Sequence, residues 1–252
     1  MRAFLASFLV ALGFMATPAF AQQSRSVDLE LVLAIDTSTS VDAQEFDLQW
    51  RGLANAFLHP DVVGAIEAIG DAGIAVSMVQ WAGPGQHQIS VEWSFINDAR
   101  SAAQFAAKIS AAPRLMRGFT DIAGAISYSV GAIEGNAYDG FRRVIDVSGD
   151  GSSSGLDNPG LDRQRDYAIS RGIIINGLVI YNEEYDLGEL AHISVREHYE
   201  NHVIGGAASF LMIANDFEDF ARAIREKLIQ EITGPPIAGL RRNGSRDFAA
   251  VE

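Results

Sequence analysis

Three oxygen-bearing side chains, those of Asp36, Ser38 and Ser40, follow directly after the apolar run Leu31–Ile35. Side chains alternate along an extended chain, so a strand that ends at Asp36 and the turn after it can gather all three onto one side. Carboxylate and hydroxyl oxygens are the ligands that hard divalent cations such as Mg²⁺ prefer, with some positions left for water or a partner. The spacing therefore predicts part of a cation site at the end of a strand.

The stretch Asp36–Ser40 resembles the Asp-x-Ser-x-Ser signature of the metal-ion-dependent adhesion site of von Willebrand factor type A domains. That resemblance implies two further ligands, a threonine ahead of a middle helix and an aspartate after the fourth strand. Thr120 and Asp150 occupy these two settings. The metal ligands that the resemblance implies are Asp36, Ser38, Ser40, Thr120 and Asp150.

Two carboxylates and three neutral hydroxyls leave a divalent cation short of negative charge. The resemblance therefore implies that a protein or peptide partner supplies an acidic side chain to the remaining coordination position. Mg²⁺ is the expected cation, with Mn²⁺ and Ca²⁺ left open, and no catalytic step is expected. The stretches Trp81–Pro84 and Arg143–Gly151 resemble, more narrowly, an uncharacterised family of exported bacterial type A-like proteins that brings no known activity with it.

Two rival functions belong to other classes. A metal-dependent hydrolase of the phosphatase kind could use Asp36 as its nucleophile, but the usual pattern has a second aspartate where this chain has Ser38, and it also needs a lysine nearby. A structural module could keep the motif without functional metal affinity. His198 and His202 have the spacing of a zinc-binding pair, but no third ligand is evident and we expect them on a helix surface.

Composition limits the class of protein and its partners. The chain has 252 residues, of which 48% are hydrophobic, enough to bury a full core, and it contains no cysteine for disulfides or thiol chemistry. A net charge of -13 disfavours nucleic acid and anionic lipid as partners.

The N-terminus has the pattern of an export signal. Residues 1–21 combine Arg2, an apolar run and a small-residue cleavage site, which predicts a secretory signal peptide and no membrane span after its removal. We expect an exported protein, periplasmic or extracellular, with a type A-like domain over residues 22–232 and a flexible tail over 233–252.

Strand and helix patterns alternate along the chain. This alternation predicts an α/β fold with a doubly wound, mostly parallel six-stranded sheet, one antiparallel edge strand, and helices on both faces. The predicted strands cover Val27–Ile35, Gly73–Trp81, Gln88–Trp93, Arg143–Ser148, Gly172–Ile180 and Ser209–Ile213. The predicted helices begin near Asp42, cover Asp98–Ala111, Asp121–Ile133, Leu161–Ser170 and Leu187–Asn201, and begin again near Asn215.

Asp146 is a carboxylate inside an otherwise apolar strand, so it needs a partner. We expect a structural ion pair with Arg142 or Arg143, or bonds to backbone donors, in preference to a supporting role behind the metal. The acidic residues after the fifth strand, Glu183, Glu184 and Asp186, are expected to form a solvated loop.

The tryptophans Trp81 and Trp93, at the ends of strands two and three, are expected to belong to the core.

Overall fold

The structure is a computed structural model and describes residues 24–152, 159–181 and 195–234. The strands of these residues are β1 (Arg25–Asp36), β2 (Ile74–Trp81), β3 (His87–Ile96), β4 (Tyr138–Gly149), β5 (Ile173–Ile180) and β6 (Leu211–Ala214). The helices are α1 (Ala43–Leu58), α2 (Pro60–Ile69), α3 (Ala99–Ala111), α4 (Ile122–Glu134), α5 (Pro159–Ser170), α6 (Val195–His198), which continues as a π-helical turn over Tyr199–Val203, and α7 (Phe220–Thr233).

The six strands form one sheet in the order β3-β2-β1-β4-β5-β6. The edge strand β3 runs antiparallel to β2, and the other neighbours pair in parallel. The predicted fold class is therefore confirmed, including its antiparallel edge. Because β1 and β4 are parallel neighbours at the centre of the sheet, the loops that follow them meet at one edge.

The central strand β1 is buried on both faces. Leu31 and Leu33 belong to a core cluster with residues of α1, α2, α3 and α7. Val32 and Ala34 belong to a second cluster with residues of α4, α5 and the π-helical turn. A continuous apolar run is what a strand covered by helices on both faces requires.

Several element boundaries differ from the predicted ones. β4 begins at Tyr138, five positions before the predicted Arg143, because its polar first half pairs with the start of β1. The short helix α2 was not predicted; Pro60 starts it, a position that tolerates proline because the first amide of a helix has no internal partner. The last helix begins at Phe220, after a turn that covers the predicted start at Asn215.

Some predictions fall on residues outside the described ranges. These are the signal peptide, most of the tail, the acidic loop after β5 and the first part of the helix predicted from Leu187. Among the residues that are described, no helix is both long enough and apolar enough to cross a membrane.

Asp146 pairs with Lys227 of α7, so the predicted pairing with Arg142 or Arg143 is wrong. The Asp146 Oδ1 atom is 2.8 Å from Lys227 Nζ, and both side chains are fully buried. Lys227 Nζ also lies 2.5 Å from Glu231 Oε1, and burial raises the pKa of Glu231 to about 7. One lysine thus lies between two buried carboxylates, balances one of their two charges, and ties α7 to β4. Arg142 pairs instead with Asp28, at 2.6 Å.

Candidate metal centre

Four of the five predicted ligands are joined by hydrogen bonds at the carboxyl end of β1. The Ser38 amide donates to Asp36 Oδ1 at 2.7 Å, which turns the chain directly after the strand. The Ser38 and Ser40 hydroxyls are 2.9 Å apart, and Ser40 Oγ donates to Asp150 Oδ1 at 2.9 Å. The loop therefore places Asp36, Ser38 and Ser40 next to the aspartate that follows β4.

Thr120 reaches the same place from the loop between α3 and α4. The Thr39 amide and hydroxyl both donate to the Gly118 carbonyl, at 2.8 and 2.9 Å, which holds that loop against the β1–α1 loop. Thr120 Oγ1 lies 3.7 Å from the point where a Cβ would stand on Gly151, the neighbour of Asp150. All five predicted residues thus come together at one edge of the sheet.

The two carboxylates are buried close together. Asp36 is fully buried and Asp150 is 2% exposed. Burial, and then the charge of Asp150, raise the pKa of Asp36 to about 8, and burial also raises the pKa of Asp150. Without a cation, burial and the neighbouring carboxylate therefore favour the protonated form of Asp36.

The donor set fits a hard divalent cation. Asp36 Oδ2 and Asp150 Oδ2 are buried and accept no hydrogen bond from any residue that the structure describes. A divalent cation would supply both the missing partner and the missing positive charge. Over the described ranges, no three side chains of the His, Cys, Asp and Glu types are placed to hold a metal, so a cation held here would also need hydroxyl or water oxygens.

Arg114 holds the β1–α1 loop in shape, which the sequence patterns did not predict. One guanidinium nitrogen donates to the carbonyls of Thr37, Ser38 and Val41, each at 2.8 Å. These carbonyls are 73 to 77 residues away in sequence, so no local pattern could indicate the contact. The arginine therefore gives these carbonyl oxygens a hydrogen-bond donor and fixes the conformation of the turn.

His198 is buried, contrary to the predicted surface position, whereas His202 is partly exposed. His198 is only 2% exposed, and burial lowers its pKa to about 4. His202 Nδ1 lies 3.1 Å from Asp162 Oδ1. Trp81 is fully buried and Trp93 packs against the core beside the Tyr138 ring, as predicted.

Most of the chain also matches a known sequence family. Residues 26–236 match the family described as "Protein of unknown function (DUF1194)". The chain belongs to this family. No curated protein matches the chain.

Solved structures with the same fold are von Willebrand type A-like proteins, and this chain shares that fold. Proximal thread matrix protein 1 from the mussel byssus is 12% identical with a TM-score of 0.56, and covers 83% of this chain and 47% of its own. The pilus adhesin SpaC from Lactobacillus rhamnosus GG is 12% identical with a TM-score of 0.61, and covers 83% and 31%. A further structure of the mussel protein is described as having a zinc-occupied metal-ion-dependent adhesion site motif (13% identity, TM-score 0.50, coverage 82% and 46%). The chain thus spans less than half the length of these solved chains.

Removing the arginine side chain should loosen the β1–α1 loop. Arg114→Ala deletes five hydrogen bonds from a charged donor to backbone carbonyls, three of them in the β1–α1 loop through one nitrogen, so we expect faster amide exchange over residues 37–42 and a loss of about 2 kcal/mol or more in the free energy of unfolding. Arg114→Lys should be intermediate, because an ammonium lacks the planar fork that reaches several carbonyls.

The exposed Arg117 on the same loop is the matched control. Arg117→Ala should change the free energy of unfolding by less than about 0.5 kcal/mol and leave exchange over residues 37–42 unaltered. Equal exchange rates in the two alanine variants would show that Arg114 does not hold the loop.

Proposed function

We propose that this protein is an exported interaction module that binds a divalent cation and, through that cation, a carboxylate of a protein or peptide partner. The observation that carries the proposal is the pair of buried carboxylates, Asp36 and Asp150, each with one oxygen lacking a hydrogen-bond partner among the described residues. The residues that would hold the cation are Asp36, Ser38, Ser40, Thr120 and Asp150. A cation bound there would attract an acidic group, because the protein ligands supply too little negative charge to balance it.

The arrangement favours binding over hydrolysis. The usual phosphatase pattern at Asp36 also needs a nearby lysine, and the two lysines of the chain are engaged elsewhere. Lys227 is fully buried against Asp146 and Glu231, while Lys108 donates to Ser94 on the β3–α3 side. Mg²⁺ is the proposed cation because the donor set is entirely oxygen. Mn²⁺ and Ca²⁺ share that preference.

The surface around the site suits a partner with an apolar residue beside its carboxylate. Phe119, directly before Thr120, is 76% exposed, and Arg117 is exposed two positions earlier. An exposed aromatic ring next to a binding site is a typical anchor for a protein partner.

The opposite side of the site is acidic. Four carboxylates, with the residues that directly follow β5 and β6, line a cavity of about 510 Å³ there. Negative charge at this side would repel an acidic chain, so the partner would approach from the Phe119 side. The four carboxylates are Asp42, Glu45, Asp216 and Glu218.

Export rests on the predicted signal peptide at residues 1–21, ahead of a domain over residues 22–232. A pilus adhesin and a byssus thread protein among the solved structures with this fold support a place outside the cytoplasm. We propose the periplasm or the extracellular space, and no membrane span once the signal is removed.

Cation binding should stabilise the native protein. With Mg²⁺, Mn²⁺ or Ca²⁺ at about 100 times the dissociation constant, we expect about 2.7 kcal/mol of added stability, measured by thermal and urea unfolding of chelator-treated protein. Asp36→Ala should abolish this gain while the metal-free variant stays folded. The variant Asp47→Ala, at an exposed aspartate of α1, is the matched control and should respond as the wild type does.

A wild type whose unfolding ignores all three cations would contradict the proposal and favour a structural module. Turnover of a generic phosphate ester, lost in Asp36→Ala, would favour the hydrolase instead.

Partner binding should require both the cation and the exposed ring of Phe119. A short peptide with a glutamate beside a leucine should displace water from the Mn²⁺-loaded protein, measured as a fall in water proton relaxation. Phe119→Ala should weaken the peptide about tenfold, since an aromatic anchor contributes more than about 1 kcal/mol. Phe141→Ala removes an equally exposed ring, also 76%, from β4 and should have no effect. Equal effects of the two variants, or binding that persists in chelator, would rule out this interface.

A further inference from the structure

A second feature of the site, Tyr199, goes beyond the five proposed ligands and rests on the proposed cation binding. Tyr199 begins the π-helical turn between α6 and β6 and is fully buried. Its hydroxyl has no hydrogen-bond partner among the residues that the structure describes. Single π-helical turns occur often at functional sites, and a buried hydroxyl without a partner is costly, so the position calls for an explanation.

Two glycines on neighbouring strands make room for the Tyr199 side chain. A Cβ on Gly177 of β5 would stand 2.9 Å from Tyr199 Cδ1. A Cβ on Gly149 of β4 would stand 2.7 Å from the Tyr199 hydroxyl oxygen. Real Cβ atoms do not approach other atoms so closely, so this slot, formed by Gly149 and Gly177, depends on both glycines.

The slot also borders Asp36 Oδ2. The same point, where a Cβ would stand on Gly149, lies 3.0 Å from Asp36 Oδ2. Two buried oxygens, each without a partner over the described ranges, thus border one small volume beside the proposed cation. A phenolic hydroxyl carries its proton at neutral pH, so Tyr199 can donate a hydrogen bond into this volume.

We propose that Tyr199 is a positioning residue for the cation site: its hydroxyl donates a hydrogen bond, directly or through one water, to the carboxylate of Asp36 when a cation holds that carboxylate ionised. This bond fixes the orientation of the ligand and stabilises its charged form, as partners of metal ligands commonly do. A phenylalanine would fill the slot as well as a tyrosine does, so packing alone does not account for the hydroxyl.

Replacing Tyr199 with phenylalanine distinguishes a positioning role from a purely structural one, because the two roles predict different changes in metal affinity and in metal-free stability. In Tyr199→Phe we expect the dissociation constant for Mg²⁺, measured by calorimetry, to rise about tenfold. The metal-free melting temperature should stay the same or rise, because a buried hydroxyl without a partner is removed. Tyr167→Phe, which alters a half-exposed tyrosine of α5, should change neither quantity.

A lower metal-free melting temperature with an unchanged dissociation constant would show that Tyr199 is only structural. If wild type binds Mg²⁺ and Tyr199→Phe binds it equally well, the positioning role falls while the proposed function stands. Absence of Mg²⁺ binding in the wild type would overturn both.

A double-mutant cycle tests the slot without any metal. Gly149→Ala should lower the metal-free melting temperature, because the new methyl group meets the Tyr199 hydroxyl. Gly149→Ala combined with Tyr199→Phe should recover much of that loss, since the hydroxyl is gone. No recovery, or no loss in Gly149→Ala alone, would contradict the geometry on which the proposal rests.

Discussion

Two buried carboxylates in one small volume are the constraint on which the site depends. Asp36 and Asp150 lie at the carboxyl ends of adjacent strands, and each keeps one oxygen without a hydrogen-bond donor among the described residues. Such a pair is stable only when protonated or when a positive charge stands between its members. In the absence of a cation, this arrangement makes ionisation of Asp36 unfavourable and raises its pKa to about 8.

The surrounding structure keeps this pair from relaxing. β1 and β4 are parallel partners at the centre of the sheet, with helices on both faces, so neither aspartate can move without its strand. Arg114 fixes the loop after β1, and Ser40 connects that loop to Asp150. A second buried charge group joins Lys227 to Asp146 and Glu231, so its cation is part of the fold. Asp36 and Asp150 have no such ion pair among the described residues, and this difference indicates that the site is the place for an added cation.

The sequence was sufficient for the fold class and for placing Asp36 and Asp150 at one edge of the sheet, while Thr120 was implied by the resemblance to type A domains. Apolar strand patterns end at Asp36 and just before Asp150, and parallel strands bring their carboxyl ends to one edge. Strand alternation and helix caps are local properties, so they can be read along the chain. Contacts between distant segments cannot, and these include the bonds of Arg114 and the partner of Asp146.

The role of Tyr199 also depends on contacts between distant segments and could not be predicted from the sequence. Nothing near it in sequence distinguishes it from a core aromatic, and its closeness to Asp36 arises only when β4 and β5 lie side by side. The two glycines that admit it are also uninformative alone, because glycine occurs in strands for several reasons. The reason for these two glycines is the side chain that packs over them, and the folded structure is needed to identify that side chain as Tyr199.

The most direct test is to locate the cation in a crystal. Crystals of the protein grown with Mn²⁺ would be measured at a wavelength where manganese scatters anomalously. The account predicts one strong anomalous peak within bonding distance of Ser38, Ser40 and Thr120, with Asp36 and Asp150 bound directly or through water. A peak confined to the acidic cavity at Asp216, or no peak from a fully soaked crystal, would contradict it.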